Sequence, residues 1–321
     1  MEEYKLLDSY VQGLVSIIIP THNRAAIVVE TIESVFVQTY KKIELIIVDD
    51  HSTDNTKQVI EDLQKKSHLF DFRYIKSFKK GGQAARNLGL IHSKGEFIQF
   101  FDDDDVMCPS HIEIKAEALL SDISIDFVTC NFNYFEGSLN NVVAEKRIDN
   151  IVHSFEYHFV NSSLPTPVFL CRRSCIFDIG FWNEKLFKLQ DMSYFYKLFL
   201  LEKRGKYLAD SLFLVRKHLN NISSKKSIDS YRFMLNTVHY IESEWSNCNQ
   251  NRKLRKNAFC AYRFKMFLDA IKRGLFIWGL CNLLKMFLMY PLGIILIFKM
   301  GIVYIFNKTK RVEKGFMECF Y

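Results

Sequence analysis

Gly95-Glu-Phe-Ile-Gln-Phe-Phe-Asp-Asp-Asp-Asp105 joins an apolar run to four consecutive carboxylates. Phe97 to Phe101 has the make-up of a buried strand. The acids Asp102 to Asp105 then stand at its C-terminal end, where open α/β sheets gather their ligands. Like charges a few ångströms apart disfavour one another's ionisation, so such a cluster calls for a cation among it. Oxygen-only donors on a rigid strand end suit Mg²⁺ or Mn²⁺, which keep several waters and share their remaining sites with substrate phosphates. The competing reading is a solvated acidic turn, but acidic turns rarely cap an apolar strand.

Working outward, the same pattern recurs. Val15 to Ile19 is a β-branched apolar run stopped by Pro20, and Asn23 offers a cap for a helix with Ile27/Val28, Ile32 and Val35/Phe36 at helical spacing. Ile43 to Val48 predicts a second strand ending in Asp49-Asp50, with Ser52 or Thr53 to cap the helix that follows. Phe72 to Ile75 predicts a third strand, Gly81-Gly82 opens a helix to about His92, Pro109-Ser110 starts another, and Phe127 to Asn131 is a fifth strand. Strand and helix alternate, so the fold class is α/β: a mostly parallel sheet of right-handed β-α-β units flanked by helices. Pro20 to Arg24, Asp49/Asp50 and Asp102 to Asp105 all fall at C-terminal strand ends and converge on one crevice. After Asn140 the pattern loosens through Pro165 and Pro167, an apolar stretch Val168 to Cys171, Gly180, Trp182 and Gln190-Asp191. An aromatic helix, Tyr194 to Leu201, and a strand, Ser211 to Val215, follow.

The chain of 321 residues is long enough for one large α/β domain with an appendage, or for two modest domains. Its charge is uneven. From residue 251 onward 14 Lys and Arg face three acids, whereas 29 basic and 33 acidic residues precede them. A basic tail serves nucleic acid or an anionic membrane surface, and the apolar stretch inside this one, Leu275 to Phe306, favours the membrane over nucleic acid. Its longest uninterrupted run, Met286 to Phe298, is shorter than a spanning helix requires. Asn282, Lys285 and Lys299 fall within about 100° of one another at 100° per residue, as on a helix lying in the membrane plane. One tilted span over Met286 to Phe306 and a soluble helical subdomain are the alternatives. Met1-Glu-Glu-Tyr has acids where a secretory signal is basic, so the catalytic part is expected on the cytoplasmic face of the membrane, held peripherally or monotopically. The eight Cys lack CxxC pairs and read as reduced, mostly buried thiols.

Taken in order, four of these segments resemble the family 2 glycosyltransferases of the GT-A fold, inverting enzymes that use nucleotide sugars. They are Val15-Ser-Ile-Ile-Ile-Pro-Thr-His-Asn-Arg24, Ile46-Ile-Val-Asp-Asp-His-Ser-Thr-Asp54, Gly82-Gln-Ala-Ala-Arg-Asn-Leu-Gly89 and the strand ending at Asp105. The resemblance implies that Pro20, Thr21, Asn23, Arg24, Asp50, Gly82, Arg86, Asp102 and Asp103 meet the nucleotide sugar. It puts Asp104 of the Asp-x-Asp motif, with His218, on an Mg²⁺ or Mn²⁺ ion. Gly180-Phe-Trp-Asn-Glu184 followed by Gln190-Asp191 is similar to the segment carrying the general base, usually written Glu-Asp. Gln190 departs from that pattern and leaves Asp191 as the candidate base. The expected acceptor is a glycan or a lipid-linked sugar of a bacterial-type cell surface, with UDP favoured as the nucleotide, and the expected organisation is 1–13 extension, 14–223 GT-A domain, 224–273 helical region and 274–321 membrane-associating tail. The residues leave other readings open. Arg86 serves as a brace for the acids, Asp191 as a helix cap, His218 as a loop histidine and Asp49-Asp50 as a phospho-acceptor pair. A noncatalytic nucleotide-sugar scaffold or a nucleotidyltransferase are the alternative functions. A processive synthase is disfavoured, since no Gln-x-x-Arg-Trp motif occurs.

Overall fold

The computed structural model describes residues 9–67, 69–146, 164–217, 227–246 and 252–289. The chain divides into two compact units. The first comprises Met1–His153, Pro165–Lys185 and Lys197–Asn221, and the second Ser154–Leu164, Leu186–Tyr196 and Ile222–Tyr321.

The first unit is built on one sheet. Its leading part consists of β1 (Val11–Thr21), β2 (Ile43–Asp49), β3 (Asp71–Lys76) and β4 (Gly95–Phe100), alternating with α1 (Val28–Phe36), α2 (Thr56–Lys66) and α3 (Gly82–His92). These strands are parallel, in the spatial order β3-β2-β1-β4. The apolar runs of β1 and β2 are buried throughout Ile17–Ile19 and Leu45–Val48, as a strand covered on both faces requires. Register is what assembles the crevice: Thr21 lies opposite Asp49, Asp49 opposite Lys76, and Ile18 opposite Phe100. The loops leaving these strands therefore emerge side by side.

Pro20 does not end β1. Pairing with β4 stops at Ile18 and Phe100, so the missing Pro20 N–H faces no partner on that side and costs no bond there.

Beyond β4 the sheet is mixed. It continues through β5 (Val106–Met107), β6 (Phe127–Phe135), β7 (Val142–Lys146), β8 (Leu170–Arg172) and β9 (Gly205–Arg216), in the order β4-β8-β6-β9-β5 with β7 beside β6. β8 runs antiparallel to β4 and β6, whereas β9 runs parallel to β6. α4 (His111–Leu120) and α5 (Arg173–Ile179) pack against this part. The two-residue β5 matters most for the site: it follows the aspartates directly and pairs with β9 at Phe213 and Leu214, anchoring the C-terminal end of the acidic turn.

α6 (Gln190–Leu200) begins among residues of the second unit. That unit also holds α7 (Ile228–Ser246), α8 (Arg252–Lys272) and α9 (Phe276–Met289). Tyr231 donates its hydroxyl to Asp269 at 2.6 Å and packs its ring on Trp278, joining the three helices, and Arg263 pairs with Glu242 at 2.6 Å. On α9, Gly279 and Met286 face inward, Gly279 against Phe267 and Ile271 of α8. The opposite side carries Ile277, Leu280, Leu284 and Leu288, between 52% and 82% exposed. Among the described residues no helix is long and apolar enough to cross a membrane. Lys299 and the run to Phe306 lie outside the described residues.

Of the cysteines described, Cys130, Cys171, Cys175 and Cys260 are buried free thiols, Cys108 is half-buried and Cys281 is exposed.

Candidate active site

The acidic turn is tied down through its backbone. Thr31 of α1 donates its hydroxyl to the carbonyls of Asp103 (3.0 Å) and Asp105 (2.8 Å). Arg216, at the end of β9, donates its backbone N–H to the Asp105 carboxylate at 3.1 Å and its Nε to the Asp104 carbonyl at 3.1 Å, while its guanidinium lies 4.4 Å from the Phe135 ring centre. Asp105 is buried and serves the turn's geometry.

The remaining carboxylates meet side chains from the neighbouring loops. Asp102 accepts from Arg86 Nη2 at 2.7 Å, and the Arg86 guanidinium is stacked 4.8 Å from Trp182. The brace reading of Arg86 thus has a concrete geometry, which is compatible with donor contact. Asp103 accepts from the Thr21 hydroxyl at 2.7 Å. Arg24 reaches both Asp103 (Nε, 3.7 Å) and Asp104 (Nη2, 3.6 Å).

Two left-handed residues shape the rim: Asn23 with φ +52° after β1, and His51 with φ +61° after β2. Asn is one of the few side chains that tolerate this region. Asn23 does not cap α1, because its side chain is turned to the second loop, where Oδ1 accepts from the Thr53 N–H at 2.7 Å. Ser52 and Thr53 do not cap α2 either: Asp54 accepts from the Thr56 N–H at 3.0 Å, while Ser52 accepts from the Asn23 N–H at 2.9 Å. The polar residues predicted as caps instead sew the first two loops together.

Asp50 accepts the Gly81 N–H through both carboxylate oxygens at 2.9 Å, fixing the approach to α3. Gly81 holds φ +117°, a conformation that L side chains rarely adopt. A Cβ on Gly82 would stand 3.2 Å from Arg86 Nη1.

Burial raises the Asp103 carboxyl to about 6 and also pushes Asp105 well above the usual carboxylate range, helped by Asp104 and Asp102 beside it. Among the described residues no three His, Cys, Asp or Glu side chains converge on one point as a metal cage. The carboxylate oxygens of the turn are the hard donors that Mg²⁺ or Mn²⁺ takes, and water and substrate phosphates would have to complete the shell of such an ion. The second ligand expected from the sequence, His218, lies outside the described residues.

Downstream, Asn87 of α3 clasps the Gly180–Glu184 segment. Its Oδ1 accepts from the Trp182 N–H at 2.8 Å, and its Nδ2 donates to the Trp182 carbonyl at 3.0 Å and to Glu184 at 3.1 Å. Glu184 pairs in turn with Lys79 at 3.2 Å. Neither Asn87 nor Glu184 was assigned a role by the sequence, although both stand inside the motifs quoted for it. Asp191 sits in the first turn of α6, half-buried, where the helix dipole favours a carboxylate. The first unit brings together Pro20, Thr21, Asn23, Arg24, Asp50, Gly82, Arg86 and Asp102 to Asp104, whereas Asp191 is counted with the second.

The sequence profile described as "Glycosyl transferase family 2" matches residues 16–180, just over half of the chain, and takes in the loops after β1, β2 and β4 and the helix α3, but not Glu184, Asp191 or Arg216. The chain belongs to glycosyltransferase family 2. Among its relatives, the glycosyltransferase GlyG of Streptococcus pneumoniae is 28% identical over 65% of this chain and 72% of its own length. A Campylobacter jejuni GalNAc(5)-diNAcBac-PP-undecaprenol beta-1,3-glucosyltransferase is 26% identical over 54% of this chain. WfgD of Escherichia coli, a UDP-Glc:alpha-D-GlcNAc-diphosphoundecaprenol beta-1,3-glucosyltransferase, is 35% identical over 39% of it. The chain spans only about half the length of the last two, 55% and 47%. In fold this family 2 glycosyltransferase is similar to S. aureus TarS 1-349 in complex with UDP-GlcNAc, with TM-score 0.62, 20% identity and 79% of this chain and 72% of that one covered. It is also similar to the Pyrobaculum calidifontis mannosyltransferase PcManGT in complex with GDP-Man and Mn2+, with TM-score 0.50, 16% identity and 84% and 68% covered. The fold is α/β of the GT-A type, and the protein is a glycosyltransferase enzyme.

Proposed function

We propose that this family 2 glycosyltransferase moves one sugar, with inversion, from a UDP-sugar to a lipid-linked acceptor of the diphosphoundecaprenol type. The observation that carries the reading is the set of loops made level by strand register: Thr21 to Arg24, Asp50 and Asp102 to Asp104 border one crevice beside Arg86. Support for the nucleotide comes from WfgD and the TarS complex, and for the acceptor from the names of WfgD and the Campylobacter enzyme.

Displacement at an anomeric carbon passes through an oxocarbenium-like state while negative charge grows on the leaving diphosphate. An Mg²⁺ or Mn²⁺ ion on Asp104 would neutralise that charge as a Lewis acid. Arg86 pairs with Asp102, which would meet the ribose, and Asn23 with Asp50 would border the nucleotide. Asp191 is the base, taking the acceptor hydroxyl's proton as the new bond forms, a contribution of about 10² to 10⁴ in rate. Asp191→Asn is therefore expected to abolish sugar transfer while leaving UDP-sugar affinity nearly unchanged, measured by release of UDP and by calorimetry on the full chain. Release of pyrophosphate instead of a nucleoside diphosphate, or full turnover by the variant, would overturn the assignment.

The acceptor's lipid calls for a membrane surface, and α9 has the face for one. Ile277, Leu280, Leu284 and Leu288 lie within about 80° of each other on the helix, opposite the buried Met286, with Lys285 exposed at the border. With 14 Lys and Arg against three acids from residue 251 onward, the surface it fits is an anionic bilayer on the cytoplasmic side.

A further inference from the structure

The Asp103 and Asp104 carboxylates have a cation beside them, and it belongs to the protein. Arg24 Nη2 stands 3.6 Å from Asp104 Oδ2, and its Nε 3.7 Å from Asp103 Oδ1. The backbone of the turn and the Asp103 carboxylate beside that guanidinium are hydrogen-bonded in place. Thr31 and Arg216 hold the backbone of the acidic turn, and Thr21 holds Asp103 from its other oxygen. The Arg24 main chain is pinned as well: its N–H donates to Thr56 Oγ1 at 2.9 Å, and the residue before it is tied to Ser52 and Thr53. The Arg24 side chain is the long, partly exposed element between these anchors, and rotation about its own bonds moves it without moving the loop.

We propose that Arg24 is an exchangeable counter-cation: it neutralises Asp103 and Asp104 until a divalent ion takes its place, and it then turns to the nucleoside diphosphate. This rests on the donor-and-metal reading of the crevice. A metal on Asp104 and a guanidinium within 4 Å of the same oxygen repel each other, so the two cations compete for one site. A planar guanidinium released beside a diphosphate finds a bidentate partner there. Metal and nucleotide consequently bind as a coupled pair, because each compensates for the displacement of Arg24. Reciprocity requires the coupling to be the same from either side.

The experiment is titration of the full chain with Mn²⁺, followed by electron paramagnetic resonance of the free ion, with and without UDP. In the wild type Mn²⁺ alone binds weakly and UDP strengthens it. In Arg24→Gln, Mn²⁺ alone binds more tightly, by about fivefold or more, the coupling to UDP shrinks, and UDP alone binds more weakly. Arg24→Lys, whose compact ammonium reaches one carboxylate and not both, moves each quantity in the same direction by less, and carries the test if the Gln variant does not fold. Unchanged Mn²⁺ affinity in the folded variants overturns the exchange while leaving the donor site standing. A wild type that takes up no UDP with Mn²⁺ overturns both.

Discussion

At the scale of single residues, the buried polar cluster behind β4 shows how far burial shifts a titration. His111 and Lys115 of α4 are fully buried. His111 donates Nδ1–H to the Leu212 carbonyl at 2.9 Å, which leaves Nε2 to accept from Lys115 Nζ at 3.2 Å, and Lys115 also donates to the Pro167 carbonyl at 2.8 Å. Burial first, and the neighbouring Lys115 second, hold the His111 pKa well below its ordinary 6.5. The sign follows: below the unfolded value the unfolded chain takes up a proton that the folded chain refuses, so this contribution to stability is complete above about pH 6.5 and is lost as pH falls. The loss proceeds at up to about 1.4 kcal/mol per pH unit. His111→Asn is expected to flatten the fall in stability between pH 6.5 and 5 relative to wild type, measured by denaturant unfolding at several pH values. Asp103, raised to about 6, acts with the opposite sign but is common to both proteins and cancels in the difference. Coincident pH slopes would exclude a neutral buried His111.

At the scale of elements, α3 carries the site because it is pressed onto β1 and β2. A Cβ on Gly89 would come within 2.4 Å of Ile18 Cγ2 and 3.2 Å of Val48 Cγ2. Both neighbours are β-branched and stiff, so the helix and not the strands must give way. Two effects oppose each other in Gly89→Ala: the helix gains about 1 kcal/mol of propensity, while overpacking costs about 1 to 3 kcal/mol. With a methyl group that close, overpacking wins. The variant is expected to unfold several degrees below wild type in a thermal scan and to bind UDP-sugar more weakly, since Arg86 and Asn87 ride on the same helix. A variant as stable as the wild type would show that α3 has room to spare. α1 and β9 act in a comparable way on the acidic turn, through Thr31 and Arg216, and only as elements in place do they converge there.

At the scale of the whole molecule, the proposed transfer to a lipid-linked acceptor would have to be joined to the bilayer. Replacing Ile277, Leu280, Leu284 and Leu288 together by Ser is expected to abolish sedimentation with vesicles of anionic phospholipid while leaving the first unit's UDP binding intact. Wild-type binding is expected to weaken as salt rises, because screening acts on the Lys and Arg of this region. Vesicle binding by the quadruple variant equal to wild type would sink the assignment of that face.

Local signals made part of this protein legible in advance. Apolar runs, the alternation of strand with helix and the acids at a strand end are read within a few residues, because periodicity and burial act on neighbours along the chain. From them came the α/β class, the parallel first four strands and the convergence of Pro20 to Arg24, Asp50 and Asp102 to Asp104, whereas Asp49 and Asp105, expected at the same crevice, are buried. Tertiary structure decided the rest. Asn87 meets Trp182 across 95 positions of sequence, Lys79 meets Glu184 across 105, and Arg216 reaches Asp104 across 112. Likewise Asn23, whose composition and position suited a helix cap, spends its side chain on the loop after β2. The mixed half of the sheet and the pairing of Arg24 with Asp103 and Asp104 depend on segments brought together only when the core closes. A short-range pattern states what a segment prefers, whereas the partners of a polar side chain are settled by which distant segment arrives beside it.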